Sequence, residues 1–336
     1  MATNKKNPQN IKLLKEIIKD SSSTYAIDNT SIIFKSIDDL LLIVYTNKDK
    51  SLICYNIIND KKANEVFNAH SSTITNLRHY PDEYNRIHYI LSVSMDDNNL
   101  KLWNVRNFVC LYDFKNVNKT GWINSAYFIN DHNQIYILTS NCGGFNKTPD
   151  PIKVLGLEGK QIKEINESKE NTYFIDSYYN KYLSINYIIT GNIGCYRSYD
   201  YNNNKPYKIY NDGSDRFHIS AVILQKGDVL NLIGSSEVGN ISIWDFNSGE
   251  LLNTIKINNG HLYGICLWDD NYLMAGSEEK SIKIIDLNEK EVVSSLNETI
   301  NNDVLTIKKL DHPQYGEILV SQGHREDGFK LWGYKN

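Results

Sequence analysis

The chain lacks the features that mark several function classes. Its five cysteines, Cys54, Cys110, Cys142, Cys195 and Cys266, are odd in number and form no C-x-x-C pair. Thiols scattered in this way read as reduced groups of an intracellular protein, not as a disulfide framework. No stretch approaches the run of about eighteen apolar residues that a membrane span needs. The first ten residues are polar and show no apolar core behind a charged leader. The cytoplasm is therefore the expected location, with the nucleus as the alternative, and no membrane contact is expected. Neither sign of charge dominates: 36 Lys and Arg face 40 Asp and Glu, for a formal net charge of −4. Nothing in that balance drives the protein toward nucleic acid, and no basic stripe with interleaved aromatics supports direct contact.

Motifs of chemistry are missing too. G-x-S-x-G, H-E-x-x-H and G-x-x-x-x-G-K-[ST] do not occur. The run Gly143-Gly-Phe-Asn-Lys147-Thr148 has a phosphate-loop flavour but the wrong spacing, and Pro149-Asp-Pro151 follows where a helix should begin. His79, His88, His132, His312 and His324 stand singly, without metal-ligand spacing. No catalytic residue, metal or small-molecule cofactor is expected.

What is present is a repeat. Twenty-three Tyr and ten Phe against six Pro suit many short strands. Residues 69–104 show the unit best: Ala-His, a polar spacer, an alternating run over 74–80, Pro-Asp, an apolar run over 89–93, a turn through Asp96-Asp97-Asn98, then Leu100-Lys-Leu-Trp103-Asn104. The closing pattern recurs at Tyr55, Trp103, Leu155, Tyr199, Trp244, Ile285 and Trp332, roughly 41 to 52 residues apart. An apolar run precedes most of these positions (40–45, 89–93, 134–139, 229–234, 272–276, 317–321). An outer-strand segment follows six of them (65–68, 109–114, 161–165, 206–210, 251–257, 291–296).

This pattern resembles the WD40-repeat family, with His70 in its Gly-His place and Trp103-Asn104 in its Trp-Asp place. The resemblance runs from about residue 11 to 334. It is clearest in the second, fifth, sixth and seventh units, while Tyr55, Leu155, Tyr199 and Ile285 replace the family's tryptophan. It implies an all-β fold: a seven-bladed β-propeller of four-stranded antiparallel blades, with residues 1–9 a disordered leader and 10–336 one domain. Seven closing strands but six outer strands leave the last blade one strand short, and an open edge at the seam would be exposed. Residues 10–19 resemble an outer strand and are expected to close the ring, against the alternative of an amphipathic helix.

The resemblance also gives His70, Ser92, one of Asp96 and Asp97, and Trp103 the role of a buried hydrogen-bond tetrad. That reading makes them a structural device and not a Ser-His-Asp catalytic triad. His261 with Ser277 or Ala275 and Glu279 reads as a degenerate copy. The family uses the ring as a platform, commonly on the face with the turns before the first strand and between the second and third. The residue before the first aliphatic of each first strand should line the channel mouth there: Thr73, Trp122, His218, Gly264 with its neighbour Tyr263, and Asp303. The turns add Asp96, Asp97, Glu237, Glu278, Glu279, Glu326 and Asp327, against Lys48, Lys50, Lys147, Lys280 and Arg325.

The expected function is a non-catalytic protein-interaction scaffold whose partners are proteins or peptides, basic segments among them. Trp122 would stack on an Arg or an apolar side chain. The alternative is a recognition subunit of a larger assembly, such as a ubiquitin-ligase receptor or a histone-tail-type reader. A third reading, an enzyme with its site in the channel, would need titratable groups converging on the inner strands, and no such pattern stands out.

Overall fold

Short alternating strands joined by tight turns form antiparallel ribbons whose two faces are both apolar, and one such ribbon cannot cover itself. The chain solves this by stacking them in a ring. The computed structural model describes residues 7–18, 30–47, 50–94, 96–119, 121–143, 148–165, 168–297, 302–324 and 328–335. Among these, seven four-stranded antiparallel sheets form the blades of a β-propeller. The first strand of each blade is innermost: Ser31–Lys35, Ile74–Asp82, Trp122–Asp131, Phe174–Asn180, His218–Lys226, Leu262–Leu267 and Val304–His312. Neighbouring inner strands lie side by side, and Ser31–Lys35 touches both the second and the seventh, which closes the circle.

The closing positions recognised in the sequence are structurally equivalent. Tyr55, Trp103, Leu155, Tyr199, Trp244, Ile285 and Trp332 pair with Ile43, Ile90, Ile137, Ile188, Leu232, Leu273 and Leu319, always an Ile or Leu of the preceding strand. Opposite them the outer strand carries a β-bulge, as at Leu102/Trp103 and Ile243/Trp244. The bulge adds local twist where the blade flares outward.

Closure follows the same rule. Lys12–Ile18 pairs antiparallel with Phe329–Gly333, with Leu13 opposite Trp332 and Lys15 opposite Leu331. The bulge between Leu13 and Lys15 falls where the other outer strands have theirs, so this N-terminal segment fills the missing outer position as a strand and not as a helix. Ile11 is buried beside it against Trp268 and Trp332. One outer strand differs from the expectation. In the first blade it is Lys61–Val66, not 65–68. Its apolar content is low because it lies on the solvent side, and the turn Ile57–Asp60 sets its start. Seven apolar clusters fill the seven seams between blades, from Phe34, Leu42 and Trp103 at the first to Ile43, Val320 and Phe329 at the last.

Candidate functional site

The second blade's polar residues form one network. Trp103 Nε1 donates to Ser92 Oγ at 2.8 Å, and Ser92 Oγ lies 2.7 Å from His70 Nε2. On the far side, His70 Nδ1 faces Asp97 Oδ2 at 3.6 Å. The Asp97 carboxylate also accepts from the Ser71 amide and hydroxyl and from the Ser72 amide. Asp97 is therefore the tetrad aspartate. Asp96 stays exposed and accepts from Ser72 Oγ at 3.0 Å. Burial opposes the charge on Asp97, but hydrogen bonding from His70 and Ser71 holds its carboxyl well below the usual range. The indole N–H thus donates to the Ser92 hydroxyl, that oxygen lies against the Nε2 side of His70, and the Nδ1 side of the ring faces the Asp97 carboxylate.

Its expected copy in the sixth blade is not built that way. Ser277 Oγ accepts from Asn258 Nδ2 at 2.6 Å, Glu279 pairs with Lys283, and His261 turns outward to within 3.9 Å of Glu237. Asn258 takes the place of the buried histidine beside the serine hydroxyl. In the seventh blade the Trp332 to Ser321 bond recurs among the described residues, at 2.8 Å.

Two mouth positions move by register. His218 opposes Ser236 as Ile74 opposes Ser94 and Ile123 opposes Asn141, each with a bulge just after. His218 thus takes the slot of the first buried aliphatic and is itself fully buried beneath the face. Its Nε2 lies 3.4 Å from Asp212, which also accepts from Ser242 Oγ and the Ser214 amide. Against the cost of burial, these bonds hold the Asp212 carboxyl well below its usual range. A strand alternates faces, so an assignment one residue off exchanges outward and inward. The residue at the mouth is Phe217. Likewise Leu262 takes the buried slot of the sixth blade, which puts His261 at the mouth and leaves Tyr263 buried just inside it.

The corrected face carries a continuous arc. Trp122, 37 % exposed, opens the third blade and pairs with Cys142. Cys142 bonds to Tyr173, whose ring meets that of Phe217 at 4.3 Å. Beyond Phe217 come Glu237, His261 and Tyr263. The His261 amide donates to Glu278 at 2.8 Å, and Asp303 faces His324 at 3.6 Å. Burial, then the carboxylates of Asp303, Glu278 and Glu237, push the Tyr263 hydroxyl far above its usual range. Three acids from three blades therefore surround one phenol. Thr73 is half-buried at the edge of this arc. Arg325, Glu326, Asp327, Lys48 and Lys147 lie outside the described residues.

Sequence reasoning missed Tyr173 because the fourth first strand opens on the aromatic Phe174, and missed Phe217 because the pattern starts the fifth at Ile219, one residue too late. It also missed the channel, where Arg78, Tyr127, Asp176 and Lys308 converge on a cavity of about 800 Å³. Their inner-strand register would have shown it. Among the described residues no group of three or more His, Cys, Asp or Glu side chains could hold a metal ion. No family model matches the chain, and no curated protein matches it.

Proposed function

We propose that this propeller is of the WD40 type and acts as a non-catalytic platform that receives a basic protein segment on its channel-mouth face. The closing positions, the Trp-Ser-His-Asp network of the second blade and the ring closure by an N-terminal strand support the type. The observation that carries the ligand class is the convergence of Glu237, Glu278 and Asp303 around Tyr263, beside the partly exposed rings of Phe217, Tyr173 and Trp122. Carboxylates steer a Lys or Arg side chain toward the mouth, and the rings offer faces for its cation or its methylene stem. A cation on an aromatic face contributes roughly 0.5–2 kcal/mol, depending on how dry the site is.

Binding of the channel-mouth type favours holding over reacting. In the channel, Tyr127 is pushed far above its usual range, first by the Asp176 carboxylate and then by burial, so it offers no nucleophile near neutral pH. The same mouth chemistry serves a recognition subunit that reads basic tails within a larger complex, and the protein would then work beside a separate enzyme.

The test is fluorescence anisotropy with labelled Lys/Arg-rich peptides against Ser/Ala peptides of equal length. The basic peptides should bind, and Trp122→Ala should weaken them about tenfold, one charge-stabilised stacking contact being worth that much. Charge reversal at Asp96 and Glu278, or Glu237→Lys, should weaken them further and remove the salt dependence. Equal binding of both peptide sets, or indifference to all these variants, would defeat the reading.

A further inference from the structure

The inner strands place one side chain per blade at a common level of the channel. Leu77, Ala126, Ile175, Ala221, Ile265 and Ile307 oppose second-strand residues that in turn face the position two before each closing residue. In the first blade Ser31 has that place. The next residue along each strand points the other way, into the channel. Around the ring these are Ile32, Arg78, Tyr127, Asp176, Val222, Cys266 and Lys308, and all of them line the cavity of about 800 Å³. The level is two-sided. Lys308, Arg78, Tyr127 and Asp176 form a polar arc interrupted only by Ile32, while Val222 and Cys266 are apolar.

The arc has an excess of positive charge. Arg78 is only 8 % exposed, yet its guanidinium meets neutral acceptors, the Leu77 carbonyl at 3.0 Å and Ser125 Oγ at 3.4 Å. A guanidinium has five N–H donors and stays charged, so most of its capacity faces the cavity. Among the described residues no carboxylate is ion-paired with it, and the charge of Asp176 reaches it only from a distance. Asp176 is two blades away with Tyr127 between, and its carboxylate is held by the Tyr127 hydroxyl and the Ser177 amide. Burial moves Asp176 toward its neutral form. Lys308 extends into the same cavity, and its charge reaches Asp176, Cys266 and His79. A buried cation with no carboxylate at ion-pair distance is costly, which makes Arg78, with the solvated ammonium of Lys308 on the same wall of the cavity, a place for an anion.

We infer that the central channel binds a small organic or inorganic anion, its carboxylate or phosphoryl group held between Arg78 and Lys308 across Ile32, with Tyr127 and Asp176 available to its hydroxyl or amino groups. The volume suits a small molecule, within the roughly 300–1,000 Å³ usual for such sites. This site is separate from the mouth, where the charge is acidic.

The test is isothermal titration of the 336-residue chain with orthophosphate and, separately, with citrate, at ionic strength matched by sodium chloride. Saturable binding of one ion per chain is expected for at least one of them. Preference for orthophosphate assigns a phosphoryl ligand, and preference for citrate a carboxylate. Lys308→Ala, at a solvated side chain whose loss leaves the fold intact, should weaken binding about tenfold, the worth of one charge-assisted contact. Arg78→Lys should weaken it as well, since a point charge cannot replace the planar fork. Lys115→Ala, on the outer strand of the second blade, should change nothing. Absence of saturable binding to either ion, or binding that Lys308→Ala leaves unaltered, overturns the proposal.

Discussion

Replacing Ser92 with alanine removes one oxygen from a fully buried site and leaves the surrounding volume almost unchanged. That oxygen accepts the indole proton of Trp103 and faces His70 Nε2. Without it, the Trp103 N–H and the imidazole nitrogen both lose this partner in the blade's buried interior. Each buried polar group left unpaired costs roughly 1–3 kcal/mol, so Ser92→Ala should lose about 2–6 kcal/mol. At about 2.1 cal/mol/K of unfolding entropy per residue, that corresponds to a fall in Tm of about 3–9 °C for this chain. Urea unfolding followed by tryptophan fluorescence reads the free energy directly. A second substitution separates the hydrogen bonds from mere packing. In Ser92→Ala/Trp103→Phe the stranded indole donor is gone, so the two changes should couple by at least about 1 kcal/mol in a double-mutant cycle. A Ser92→Ala loss below about 0.5 kcal/mol, the scatter of surface substitutions, would refute the account of the network as the blade's fastening.

Two further outcomes follow from the ring's construction. Removing residues 1–18 strips the outer strand from Phe329–Gly333 and bares a ladder edge, so size-exclusion chromatography should show association in place of a monomer; Ile11→Ala, which deletes one side chain from the Trp268 and Trp332 cluster, should cost about 2–5 kcal/mol in urea. A monomer unaffected by the deletion would remove the strand's role in closure. Asp97 and Asp212 titrate lower in the fold than their unfolded value of about 3.9, so the stability they contribute is complete above that pH and drains away as pH falls below it. Asp97→Asn should therefore trail the unsubstituted protein at pH 7 and approach it near pH 3, and a constant gap across that range would contradict the assignment.

Much of the fold was legible because it is periodic. The Trp103 unit could be laid along the chain, and even Leu155 and Tyr199, which share little with it, fell on equivalent positions. Pattern failed where one residue of register mattered. His218 looks like a polar residue ahead of Ile219, yet it occupies the buried slot itself, where the Arg216 carbonyl meets its Nδ1 and the Asp212 carboxylate faces its Nε2. The same physics hid Phe217 and His261. A hydrophobic pattern reports which residues prefer burial, but a bulge after the first strand residue shifts which of them obtain it.

The sequence alone determined the number of units, their order and the need for a strand at the seam, since these depend on local alternation and turn chemistry repeated along the chain. It also contained the Trp103, Ser92 and His70 set, whose spacing is fixed within one blade. Only the tertiary structure decided what lies across blades. Closing the ring brings Glu237, Glu278 and Asp303 around Tyr263, and Arg78, Tyr127, Asp176 and Lys308 to one level of the channel, though the last two stand far apart in the chain. Neither grouping has a local signature, because each comes from the curvature of seven packed sheets.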